Sequence, residues 1–228
     1  MTMLASRPAA PTRSRREWWI PASLLALTFV PALAGAVRLV DLSGGRTEEN
    51  ARFFDLPLPI IVHIVGATTY CVLGAFQFMP SLRRRRPRWH RMAGRVLVPA
   101  GIAAGLSGMW MAVFSDLPVY DNTTLVWLRL FFGSLMVAGL VLGVRAVLGG
   151  DIRTHQRWMA RAYAIAQGAG TQALVLGPMI VVLNQQGIDQ PGGNLKAAGM
   201  GFAWVLNLAV AEWLVRRSQS AGRPTSAD

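Results

Sequence analysis

The chain has 228 residues, 53% of them hydrophobic and only 15% charged, with a mean hydropathy of +0.37. Soluble domains carry about 25% charged residues, so this deficit excludes an ordinary water-soluble fold. The net charge is +12, yet the arginines gather at the ends of apolar runs, a placement that fits membrane topology and not a nucleic-acid-binding face.

Residues 1–17 form a basic tail holding Arg7, Arg13, Arg15 and Arg16. Six runs then reach the length of about 20 apolar residues that a bilayer-spanning helix needs. The first is Trp18–Val40. Its basic start and its Ala32-Leu33-Ala34 end resemble a signal peptide, but the run continues to Val40 and is expected to stay as an anchor.

The second run, Leu58–Met79, carries His63, and steps of three or four from it reach Gly66, Tyr70, Gly74 and Gln77. That spacing puts small and polar groups on one helical stripe. Cys71, the one cysteine, lies in the same run and excludes an intrachain disulfide.

The connector "RRRRPR" and the stretch "RWHRMAGR", with His90, Arg91 and Arg95, precede the third run, Met92–Phe114. Its glycines at 94, 101, 105 and 108 form another stripe. The fourth run is Leu125–Leu148, with "GLVLG" at Gly139–Gly143. "THQRWMAR", with His155 and Arg161, then repeats the basic, histidine-bearing signature ahead of the fifth run, Trp158–Leu183.

Gln167, Gly168, Gly170, Thr171 and Gln172 make the fifth run's polar and small stripe. The sixth run, Ala197–Val215, contains Glu212. A tail over 218–228 is expected to be disordered and cytoplasmic. Small residues repeated at these spacings let helices approach closely. The expected fold is therefore all-α: a polytopic membrane domain over 18–217, with six transmembrane helices and a four-helix core made by spans two to five.

The connectors alternate between arginine-rich and acidic or neutral. Lys and Arg are retained on the cytoplasmic side, which places both termini and both histidine stretches in the cytoplasm. Trp18, Trp19, Trp89, Trp127, Trp158 and Trp213 fall near run ends, as an interfacial belt would.

Arg95 and Arg161 lie about one turn inside their runs, Glu212 sits at a similar depth, and His90 and His155 stand above them in the loops. His63 is about 25 Å of helix away. These groups have a plain reading as topology anchors, with Glu212 paired to Arg216 at i,i+4. They also have a functional one. Together with Arg91 and Gln77 they could bind a small anion or an anionic lipid head. Histidines on two helices could instead ligate haem b through His90 and His155; no other cofactor and no metal is expected. A purely structural role, including homo-oligomer assembly, is the third possibility. Hydrolase chemistry lacks support: Ser107 and Ser134 have no neighbouring base, and neither H-E-x-x-H nor G-x-S-x-G occurs.

The stretches "HIVGATTYCVLGAFQFMPSLRRRRPRWHRMAGRVLVPAG", "HQRWMARAYAIAQGAGTQ" and "WVLNLAVAEWLVRR" resemble the bacterial predicted membrane proteins of domain-of-unknown-function family 2306. The likeness runs from about His63 to Arg217. It implies that His63, Gly74, Gln77, Phe78, His90, Arg91, Gly94, Arg95, His155, Trp158, Met159, Arg161 and Tyr163 occupy recurring family positions. It implies a multi-pass membrane protein and names no reaction.

Overall fold

The computed structural model describes residues 17–48, 50–116 and 121–220, and no strand occurs among them. Among the described residues six helical spans are long and apolar enough to cross a membrane, the fifth of them, Ile152–Asn184, made of two helices in succession. In chain order the elements are α1 (Trp19–Ser43), the short α2 (Ala51–Phe54), α3 (Leu58–Ala75), α4 (Pro80–Arg85), α5 (Pro87–Phe114), α6 (Thr123–Leu148), α7 (Ile152–Ala166), α8 (Gly168–Asn184) and α9 (Gly193–Ser220). A 3-10 turn, Phe76–Phe78, links α3 to α4. The arginines of the N-terminal tail, Arg223 and residues 117–120 lie outside the described residues.

Most helices extend past the apolar runs, because polar residues continue a helix outside the region that hydropathy detects. Asn122 caps α6 by accepting from Leu125 N, and Asp151 caps α7 by accepting from Thr154 N. Pro87 and Ile152 therefore open α5 and α7, and His90 and His155 are helical, not in loops as expected. Each is the fourth residue of its helix. α9 runs on to Ser220, so the start of the expected disordered tail is helical and the rest is not described.

The core lies where the glycine stripes place it. Tyr70 and Cys71 from α3, Leu97 from α5, Phe132, Met136 and Leu140 from α6, and Ala162, Tyr163 and Ile165 from α7 form one buried cluster. α1 and α9 contribute only partly buried residues, such as Leu24, Trp204 and Leu208. The missing side chains do specific work here. A Cβ on Gly66 would come 2.8 Å from Ala100 O, and one on Gly101 would come 3.0 Å from the Tyr70 ring. Trp158 departs from the expected interfacial belt: it is half-buried, packed beside Gly139 and Gly143 of α6.

The fifth span is not one helix. It breaks at Gln167, whose N–H turns back to Tyr163 O and Ile165 O. Two glycines follow at once, and each costs a helix about 1 kcal/mol relative to alanine. Tertiary contacts hold the break open. Gly168 has the Trp204 indole against it, and Gly170 has the Leu27 backbone against it, at places no side chain could share. The Gln167 amide bridges Thr28 Oγ1 (3.1 Å) and Tyr163 Oη (2.8 Å), and Tyr163 Oη donates to Cys71 O (2.6 Å). Asn207 Nδ2 donates to Ala164 O (3.1 Å), a carbonyl next to the break. Below the break α7 packs on α6, α9 and α3; beyond it α8 keeps to α9 and adds α1. The fifth span thus leaves the four-helix core halfway across.

Candidate functional site

Where α8 veers away, a cavity of about 380 Å³ remains between α3, α5, α6, the first turns of α8 and one edge of α9. It lies in the half of the bundle remote from the "RRRRPR" connector. Ile165, Ala166, Ala169 and Gln172 bring the interrupted span to its wall. Irregular backbone at membrane depth is tolerated only where protein buries it or a cavity adjoins it, and here both hold.

His63 stands on this wall, one turn and a half into α3. Its ring fits because Gly108 has no side chain; a Cβ there would come 3.1 Å from the imidazole. Nδ1 donates to Ala104 O at 2.9 Å. A carbonyl only accepts, so Nδ1 carries the hydrogen and a neutral ring keeps its lone pair on Nε2.

Gln172, 8% exposed, also lines the cavity. Its Nε2 lies 3.5 Å from Met200 O, and with the amide in this orientation Oε1 is its free acceptor. The remaining wall is apolar, and Trp204 stacks on Phe132 with ring centroids 4.8 Å apart. Met109, Met111, Met136 and Met200 are on it as well; thioether side chains adapt readily to differently shaped ligands.

The mouth is polar. Asp121, with no exposed side-chain surface, pairs with Arg129 at 2.8 Å and with Lys196 at 2.6 Å, tying the starts of α6 and α9 together. Burial alone would raise the Asp121 carboxyl, but the Lys196 hydrogen bond and the charges of Arg129 and Lys196 outweigh it and hold the carboxyl below its ordinary range.

Of the candidate binding residues named from the sequence, His63 alone reaches this cavity; Tyr70, Gly105, Gly108 and Gln172, read there as packing residues, line it too. Arg161 binds Glu212 Oε2 through Nε (3.1 Å) and Nη2 (2.7 Å), and Arg216 takes Oε1 at 3.0 Å, so the expected i,i+4 pair forms but is shared. The Arg161 guanidinium also lies over the Trp158 ring, 5.2 Å from its centroid. Arg91 and Arg95 are exposed. His155 Nδ1 donates to Gly143 O at 2.9 Å across the α6–α7 turn. Gln77 and His90 are half-buried at the same, arginine-rich end. The expected layer is therefore several separate arrangements: Arg161 with Glu212, Arg95 facing outward, and His90 near His155.

Arg129, Asp121, Lys196, Gln172 and Trp204 were not anticipated as site residues. Arg129 had a usable signal, being the lone charge inside "LVWLRLFFG". No group of three or more His, Cys, Asp or Glu side chains suited to a metal ion occurs among the described residues. Neither a curated protein nor a solved structure matches the chain. Residues 60–215, however, match the profile of a family described as predicted membrane protein (DUF2306), and the chain belongs to that family.

Proposed function

We propose that the protein binds a small, mostly apolar alcohol or phenol in the cavity beside the interrupted fifth span. The observation that carries this is the break itself: α7 and α8 part at the cavity wall, and discontinuous transmembrane helices characteristically border binding sites. The volume falls within the range of small-molecule pockets, which combine apolar walls with a few placed polar groups. Both polar groups that line the apolar part, His63 Nε2 and Gln172 Oε1, are acceptors. They call for a ligand that donates, as a hydroxyl does. The arginine-rich end fits the cytoplasmic side of a bacterial cell membrane, with both termini there; the ligand then enters from the opposite side.

Trp204 reports on occupancy. A brominated phenol titrated into detergent-purified protein is expected to quench fluorescence saturably, and Trp204→Phe to remove most of the quenching. His63→Leu and Gln172→Leu should each weaken binding by about tenfold, the scale of one hydrogen bond. Bromobenzene, lacking the hydroxyl, should bind correspondingly less well. Equal affinities for the two probes, or unchanged binding in a His63→Leu/Gln172→Leu double variant, would refute the assignment.

A further inference from the structure

Deeper than His63 and Gln172 the cavity ends on a floor, and one polar atom stands there. Tyr70 reaches the cavity from α3, about 10 Å of helix beyond His63. It is only 4% exposed. Its ring lies against Gly101 of α5, which also meets Leu140 of α6. Below that level Leu97, Leu140, Ala162 and Tyr163 fill the core and close the cavity.

The other polar groups around the floor answer one another. Tyr163 Oη donates to Cys71 O (2.6 Å) and accepts from Gln167 Nε2 (2.8 Å), and Cys71 Sγ donates to Ala166 O (3.8 Å). Thr171 Oγ1 donates to Asn207 Oδ1 (2.8 Å). Tyr70 meets Tyr163 only through its ring, with centroids 5.6 Å apart, and its hydroxyl has no hydrogen-bond partner among the described residues. That hydroxyl is not wholly enclosed by protein either, so the surface it keeps is cavity surface. Side chains on a helix lean towards its N-terminus, and the N-terminus of α3 is at the mouth. The hydroxyl is thus carried towards the ligand space, away from the core below. Buried tyrosine hydroxyls ordinarily find a partner, and here a ligand has to supply it.

We propose that Tyr70 holds a second oxygen of the ligand, so that the cavity selects an elongated apolar molecule with a hydroxyl at one end and an oxygen function at the other. An α,ω-diol is the simplest member of that class. The inference rests on the cavity being a site for an alcohol or phenol, and adds which alcohols it prefers. The outer hydroxyl donates at His63 or Gln172. The inner oxygen bonds Tyr70 Oη, which can both donate and accept. Ala67, Gly105, Met136 and Trp204 line the space along the apolar body between them. A mono-alcohol satisfies one end and leaves Tyr70 unpaired.

Competition against the brominated phenol tests this in detergent-purified protein. The probes are α,ω-diols of about four to ten carbons, each compared with the 1-alkanol of equal carbon count, a range whose oxygen spacing brackets the 10 Å of helix between the two polar levels. The ratio of diol to alkanol affinity should pass through a maximum at one chain length. At that length Tyr70→Phe, which keeps the ring and removes the hydroxyl, should lower diol affinity by about tenfold and leave alkanol affinity unchanged. Its Tm without ligand should stay at the parent value, because the hydroxyl bonds nothing in the protein. Diol binding as tight as in the parent, equal losses of diol and alkanol, or a ratio without a maximum would each overturn the inference while the alcohol site stands. A lowered Tm would do the same, by revealing an internal partner. If no alcohol displaces the phenol, the site falls and the inference falls with it.

Discussion

Asp121 concentrates the electrostatics of the cavity mouth in one side chain. Buried carboxylates are stable as anions only when paired, and its partners Arg129 and Lys196 come from two different spans. The folded carboxyl is held below the ordinary aspartate value of about 3.9. A depressed folded pKa means that the stabilisation is complete above the ordinary value and is lost as pH falls through the folded one. The Tm should therefore be flat from neutral pH down to about 5 and decline below about 4. In Asp121→Asn that acid-side decline should be much reduced, because its main source is gone. At neutral pH the same substitution should cost roughly 3–5 kcal/mol, as expected when one member of a buried pair is removed. A change well under 1 kcal/mol would mean that the pair is solvated. Sequence reading found His63 because an ionisable group on a stripe of small residues stands out. It passed over Arg129, the lone charge in its run, because attention went to the arginine-rich connectors and the one before Arg129 is acidic. The partnership with Lys196 could not be read at all, since it joins residues far apart in the chain.

The break at Gln167 is the element on which the proposed function turns. Its cost is met by groups from three neighbours: Thr28 of α1, Cys71 of α3 and Asn207 of α9. Asn207→Leu leaves Ala164 O without its partner and removes the Thr171 contact (2.8 Å). The expected loss is about 1–3 kcal/mol, readable as a lower Tm. Gly168→Ala acts differently. Its methyl group would occupy the place of the Trp204 indole, pushing that ring off Phe132 and into the cavity. Phenol affinity should then fall by more than stability does, whereas Asn207→Leu should lower both. If Gly168→Ala left binding intact while destabilising the fold, Trp204 would not be a wall of the site. The apolar run gave no hint of the break, because hydropathy is continuous across it and Gln167, Gly168 and Gly170 read as packing residues. They are packing residues; what spacing cannot convey is that they pack α8 on α1 and α9 rather than on the core.

At the scale of the whole molecule, six crossings put the two ends of the described chain on one face of the membrane, whichever face that is. The number and order of the spans were legible because lipid imposes a length and a hydrophobicity on every crossing. The inward faces were legible because glycine stripes mark close helix contacts. Which face meets the cytoplasm rests on arginine placement alone, and accessibility can test it. Cys71 is buried, 7% exposed, so the parent protein should react little with a membrane-impermeant maleimide. Arg85→Cys, at the end of α4, and Ser115→Cys, just after α5, place thiols on opposite faces. In intact cells Ser115→Cys should label and Arg85→Cys should not; after permeabilisation both should. The reverse pattern would turn the molecule over, moving the cavity mouth to the cytoplasm and the arginine-rich end to the outside. Labelling of both in intact cells would mean that α5 does not cross, and the four-helix core could not then form within the bilayer.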